Sequence, residues 1–213
     1  MLKILVLGGS GMAGSAIYKE AVARGHHTVA VVRDEAKARQ LLGPGANILA
    51  KDVFDLTKED LSAYDVIVKA VSTSPDKAYK HVDLTAKFVA MLREQDSPRL
   101  LTILGAGSLL DANDIPMLDT MKTQPEVQPW IGIPIGQYRE LLFLREIDNV
   151  NWVGVSPSFN FIPGVAYTPV LGKDHLLTAA DGSSHTTSGT MAVAILNELE
   201  HPSVFKSRFT VSD

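Results

Sequence analysis

The chain has no cysteine. Disulfides, thiolate nucleophiles, thiolate-bound zinc and cysteine-held iron–sulfur clusters are therefore excluded, and the composition fits a reducing cytosol. A basic excess is missing too: 20 Lys and Arg stand against 24 Asp and Glu, a formal net charge of −4. Nucleic-acid binders carry a basic face, so no nucleic acid is expected as a partner. No apolar run approaches the roughly 18 residues of a membrane span. The opening stretch has a single cation, Lys3, and only the apolar run Ile4–Leu7 behind it, too short for an export signal. None of the six histidines forms a helical His-x-x-x-His pair, so no metal site is expected. A Gly-x-Ser-x-Gly elbow is also absent, which disfavours the common esterase layout. These absences lead us to expect a cytoplasmic protein with no membrane partner.

What is present is ordinary globular material: 213 residues, 46% hydrophobic and 21% charged. That length predicts one domain, which can bury roughly 70% of its unfolded surface. Ile4–Leu7, Thr28–Val32, Ile48–Ala50, Val66–Val71 and Leu100–Leu104 read as buried strands. Between them, helical stretches are predicted over Met12–Arg24, Glu35–Leu42, Asp55–Ala63 and Lys77–Glu94. Strand and helix alternating at this spacing means right-handed crossovers and a parallel sheet covered on both faces. The expected fold is α/β, a Rossmann-like doubly wound parallel sheet. The second half is less regular. Residues 111–135 hold Pro116, Pro125, Pro129 and Pro134 without a clean period, and read as an irregular excursion. A helix is predicted over Ile135–Ile147, a strand over Trp152–Val155 and short strand-like pieces over Phe159–Thr187. Turns are expected at Gly172-Lys173-Asp174 and Asp181-Gly182, then a helix over Met191–Leu199 and a last strand over Phe209–Val211. Residues 1–213 are thus expected to form a single nucleotide-binding domain. Small cap elements, mainly within 111–135 and 159–187, would cover the strand ends.

The strongest local signal is Gly8-Gly9-Ser10-Gly11-Met12-Ala13-Gly14, between the first strand and the first helix. Gly8 lets the chain turn sharply, Gly11 leaves room for a pyrophosphate to approach the backbone, and Gly14 lets the helix pack closely on the sheet. The helix start offers free N–H groups and partial positive charge, and Ser10 can add a hydroxyl donor. Met12 and Ala13 lie in the same cradle. The second strand ends Val31-Val32-Arg33-Asp34, with Arg33 19 residues past Gly14. A guanidinium there suits a ribose 2′-phosphate, so NADP(H) is the expected cofactor, while Asp34 keeps NAD(H) open.

The GGSGMAG loop, the strand end VVRD, the segment KDVFD, the strand DVIVKAV, the loop LGAGSLLD and the ending RFTVSD together resemble the atypical short-chain dehydrogenase/reductase superfamily. More narrowly, the chain is similar to its NmrA-like NAD(P)H-binding group, which includes NADH-flavin reductases and lies near the biliverdin reductase B type. The resemblance runs nearly end to end and is weakest across 111–135. It implies that Asp52 hydrogen-bonds the adenine and Val53 packs on the ring, although Lys51 stands where the family often has glycine. It implies that Ala70, Val71 and Ser72 lie under the ribose and nicotinamide, with Gly105 and Ala106 beside them and Pro157 in the loop that closes over the ring. Ser108 falls where the superfamily often has a catalytic serine.

Many short-chain reductases use Tyr-x-x-x-Lys, in which the lysine lowers the tyrosine pKa. Here Tyr138 is followed four residues later by Leu142. Tyr138 and Ser108 are the candidate catalytic residues. His81 is a further candidate proton donor facing the cleft, and Trp130, Tyr138, Phe159 and Phe161 are candidate walls for a planar ligand. Among acid pairs, Asp52/Asp55 has a nucleotide reading, and Glu59/Asp60 stands at a helix start where acids favour the dipole. The expected function is hydride transfer from NAD(P)H to a flavin or quinone-like acceptor, the flavin being a substrate and not a bound cofactor. Alternatives are a non-catalytic dinucleotide sensor of the NmrA type and, less favoured by the missing lysine, a sugar epimerase or dehydratase. Either a monomer or a homodimer is expected.

Overall fold

Each apolar run becomes a strand, and each helical stripe the crossover behind it. The computed structural model describes residues 1–178 and 181–213. In it β1 (Lys3–Leu7), α1 (Met12–Ala23), β2 (His27–Val32), α2 (Glu35–Leu42), β3 (Ile48–Ala50), α3 (Lys58–Leu61), β4 (Val66–Lys69), α4 (Lys80–Leu92) and β5 (Gln95–Ile103) follow in order. The second half adds α5 (Met117–Thr123), α6 (Gly132–Arg145), β6 (Val150–Pro157), β7 (Asn160–Ile162), β8 (Val170–Gly172), β9 (His185–Thr187), α7 (Ser188–Glu200) and β10 (Ser207–Ser212). The main sheet has eight strands in the order β3-β2-β1-β4-β5-β6-β10-β8. All its pairings are parallel except β8 on β10. β7 and β9 form a separate two-stranded parallel ribbon.

The parallel strands read as unbroken apolar runs because helices cover both faces. Ile4, Val6, Val68 and Val155 pack with Ile17 of α1 and Ile195 of α7, while Leu5, Leu7, Ile67 and Trp152 pack with Phe88 of α4 and Leu144 of α6. Ile4 to Leu7 are all fully buried, which stabilises the fold by about 1.5–3 kcal/mol per side chain relative to exposure. The Trp152 indole N–H, buried with the ring, donates to the Ile147 carbonyl at 3.0 Å. No helix among the described residues is long and apolar enough to cross a membrane.

The structure departs from the sequence expectations where a cap or a short element overrides the period. Over 55–63, Asp52 caps a single 3₁₀ turn at Val53–Asp55, and Thr57 with Asp60 forms a capping box that confines α3 to one turn. Over 77–94, Pro75 opens a 3₁₀ turn and α4 begins only at Lys80. The supposedly irregular 111–135 contains α5, a 3₁₀ helix at Pro125–Trp130 and the first turn of α6. Pro116, Pro125 and Pro134 sit at or near helix starts, where a missing N–H costs nothing, and Pro129 lies inside the 3₁₀ helix. β5 begins earlier than expected, on exposed polar residues, and its register with β6 shifts between Gln95 and Leu100. Short strands do form within 159–187. Residues 179 and 180 of that stretch lie outside the described residues.

Candidate nucleotide-binding site

β1 is flanked by β2 on one side and β4 on the other, so the crossovers diverge there and leave a crevice at the strand ends, where open parallel sheets bind ligands. The glycine loop is the floor of that crevice. Gly8 has φ +77, and a Cβ there would lie 2.7 Å from the Ala70 carbonyl oxygen. Gly14 is excluded from the wall itself: its Cβ would fall 2.2 Å from the Gly8 oxygen, so it packs beneath the turn as a spacer. Gly9, which the sequence reading left without a role, would strike the Ala30 side chain of β2 at 2.5 Å. Gly11 differs. The nearest heavy atom to its Cβ position is the Gly8 oxygen at 3.2 Å, and no other lies within 4 Å. Apart from that one tight contact the position is open, at the N-cap of a helix with no side-chain cap and no acid in its first turn. Those unspent N–H groups and the positive helix end suit an anion.

The crevice encloses about 790 Å³. Gly8, Ser10, Gly11, Met12 and Ala13 line it. At one end stand Arg33, Lys37, Asp52 and Val53; at the other, Ala70, Val71 and Ser72 after β4, Gly105 and Ala106 after β5, and Pro157 at the end of β6. The span from β2 to β5 is three strand steps, about 14 Å. Asp34 is absent from this wall. Its carboxylate caps α2, one oxygen accepting from the Lys37 amide at 2.9 Å. Asp52 likewise caps its 3₁₀ turn through Phe54 N at 2.9 Å. Lys51 is tied to Asp60 at 2.5 Å, which holds the Asp60 carboxyl below its usual range. Lys80 lies 5.3 Å from the centre of the Phe54 ring.

A family profile described as NAD(P)H-binding matches residues 8–159. The chain belongs to this NAD(P)H-binding family. It is 36% identical to the uncharacterized protein YwnB of Bacillus subtilis, an alignment covering 99% of this chain and 98% of that one. A Lactobacillus casei structure shares 44% identity with a TM-score of 0.91 over 99% of both chains. A Streptococcus pneumoniae structure described as "a putative NADH-flavin reductase" shares 33% identity with a TM-score of 0.88 over the full length of both. The resemblance to the atypical short-chain dehydrogenase/reductases read from the sequence holds.

In this NAD(P)H-binding chain the two candidate catalytic residues stand away from the crevice. Ser108 is buried behind the Gly105 loop. Its hydroxyl accepts from the Arg208 guanidinium at 2.7 Å and donates to the Gly105 carbonyl at 3.3 Å. Arg208 also pairs with Asp174; burial lowers its pKa, against the pull of that carboxylate the other way. Tyr138 does not line the crevice either. α6 presents the preceding residue, Gln137, and a step of one residue turns a helix by about 100°. Leu142, in the lysine position, is exposed. Of the four candidate wall aromatics, Trp130, Phe159 and Phe161 line the crevice and Tyr138 does not.

His81 is also off the wall, fully buried in a cluster that the sequence reading missed. Lys69, at the end of β4, donates to Glu140 of α6 at 2.8 Å; both are buried. The Thr85 and Thr102 hydroxyls donate to the same oxygen at 2.7 Å each, and the His81 Nδ1 lies 3.5 Å from the other. Burial alone would raise the Glu140 pKa, but the Lys69 charge and these hydrogen bonds outweigh it and hold the carboxyl at about 2. The cluster ties together β4, α4, β5 and α6, the elements that carry Ala70, Lys80, Gly105 and Gln137 to the crevice. A charged residue closing the apolar strand Val66–Lys69 was its one trace in the sequence.

Proposed function

We propose that this chain is an NADPH-dependent reductase that delivers hydride to a planar conjugated acceptor, a flavin or a quinone. The observation that carries the proposal is the division of the crevice. Its β2 end carries Arg33 and Lys37, two cations beside an anion cradle, while Asp34 is not part of the crevice wall and caps α2. Its β5–β6 end is formed by Met121, Trp130, Pro134, Phe159 and Phe161, with Lys77 the titratable side chain on the turn that packs against α6.

The residues present fit the dinucleotide. Gly11 and the α1 amides would hold the pyrophosphate, Arg33 and Lys37 the 2′-phosphate, and Gly105, Ala106 and Pro157 would border the nicotinamide. When bound, NADPH supplies a hydride, becoming NADP⁺, and the reduced acceptor takes its balancing proton from water. The protein's part is to align and exclude water: apolar walls press two flat rings together, and no side chain is required to pass a proton. Carbonyl–alcohol and epimerase chemistry needs such a group, and Tyr138 does not reach the crevice to supply it. The name given to the pneumococcal relative supports the same reading.

The test is NADPH absorbance followed with FMN, riboflavin or a naphthoquinone in excess. Acceptor-dependent loss of NADPH is expected. Tight cofactor binding without turnover on any acceptor would overturn the reductase in favour of a dinucleotide sensor.

A further inference from the structure

The β5–β6 end of the crevice is walled mainly by apolar side chains, while Ser72, Thr73, Ser74 and Lys77 line the crevice from the segment after β4. Ser158 faces it, but its hydroxyl is spent on the Leu177 and Val211 carbonyls. Trp130 offers one N–H donor. Gln137, half-buried on α6, offers both a donor and an acceptor, and no other described residue takes a hydrogen bond from its carboxamide or gives one to it.

The backbone has made room for this side chain. Gly105 has φ −114 and ψ 168, open to any residue, so glycine is not required there by conformation. A side chain there would compete for space with the flexible end of Gln137. A Cβ at Gly105 would lie 2.1 Å from the Gln137 Oε1 and 2.9 Å from its Cδ. The carboxamide therefore occupies the place of the missing Gly105 side chain, at the strand end where the acceptor must meet the nicotinamide.

We infer that Gln137 determines acceptor specificity, its carboxamide pairing with the adjacent carbonyl and N–H of a cyclic imide, so that flavins are preferred over quinones. This rests on the reductase reading and refines it. An isoalloxazine presents such an edge: its carbonyl accepts from the carboxamide N–H, and its imide N–H donates to the carboxamide oxygen. A quinone presents carbonyls only and leaves the Gln137 oxygen without a donor, and an unmatched polar group in a water-poor site is what makes such a contact selective.

The experiment compares kcat/KM for riboflavin, for riboflavin methylated on the imide nitrogen and for a naphthoquinone, in wild type and in Gln137→Leu, Gln137→Glu and Gly105→Ala. Gln137→Leu should lower riboflavin reduction by roughly 5- to 50-fold, leave the quinone within about twofold and leave the NADPH dissociation constant unchanged. Wild type should lose a similar factor on the methylated flavin, while Gln137→Leu treats both flavins alike. Gln137→Glu keeps the shape and removes the donor, and Gly105→Ala pushes the carboxamide aside, so each should lower the flavin-to-quinone ratio. Equal losses on flavin and quinone, or undiminished wild-type activity on the methylated flavin, would overturn the assignment while leaving the reductase standing. Failure of wild type to reduce any acceptor would instead remove the reductase reading, and this inference with it.

Discussion

Replacing Glu140 by Gln changes one oxygen to an amide nitrogen, yet it leaves the Lys69 ammonium buried without a counter-charge. Both side chains are essentially sealed from solvent, at 1% and 0% exposure. Breaking such a pair from one side costs about 3–5 kcal/mol. The pKa of Glu140 gives the same scale independently. Its fall from an ordinary 4.5 to about 2 corresponds to roughly 3 kcal/mol at about 1.4 kcal/mol per tenfold. The folded value lies below the unfolded one, so this stabilisation is fully present above pH 4.5 and is lost as the pH falls through about 2. For a chain of this size, 1 kcal/mol moves Tm by about 2–4 °C, so Glu140→Gln should melt on the order of 10 °C below wild type at neutral pH. Adding Lys69→Met removes the stranded charge and should restore most of the loss, because the cost comes mainly from the uncompensated ammonium. Thermal melts of wild type, both single variants and the double variant make the measurement. A Glu140→Gln variant as stable as wild type, or additive losses in the double variant, would refute this account of the cluster.

Two further variants probe the crevice itself. Gly11→Val places a branched side chain where the cradle is open and should abolish NADPH binding by calorimetry with an unchanged circular dichroism spectrum; retained affinity would take the loop out of the site. Tyr138→Phe should leave acceptor reduction within a few-fold of wild type, whereas a loss of about 10²–10⁴ would return Tyr138 to the role of general acid.

The parts of this molecule that follow local rules were legible in the sequence. Ile4–Leu7 followed by Gly8 had to be a buried strand ending in a sharp turn, and the spacing of Gly8, Gly11 and Gly14 allowed separate jobs for each. What escaped depends on partners far along the chain. Lys69 and Glu140 stand 71 residues apart, and neither has a pattern around it that names the other. Gly9 is fixed by Ala30 of the neighbouring strand, a contact that exists only once β1 and β2 are paired. α5 has seven residues, too few for a helical period to stand out among prolines. Asp34 was legible and read too narrowly: an acid directly before Glu35–Leu42 is an N-cap signal as much as a ribose ligand. Ser108 and Tyr138 carried the right chemistry at the expected places in the chain, but the turn of α6 and the Arg208 contact take both away from the crevice.

The central claim is that the crevice between β1 and β4 holds NADPH with its 2′-phosphate against Arg33 and Lys37. The dissociation constants of NADPH and NADH for wild type and Arg33→Ala test it most directly. Wild type should bind NADPH more tightly than NADH, and Arg33→Ala should weaken NADPH by roughly 10- to 100-fold with NADH barely changed. Equal losses for the two cofactors, or a wild type that favours NADH, would contradict it.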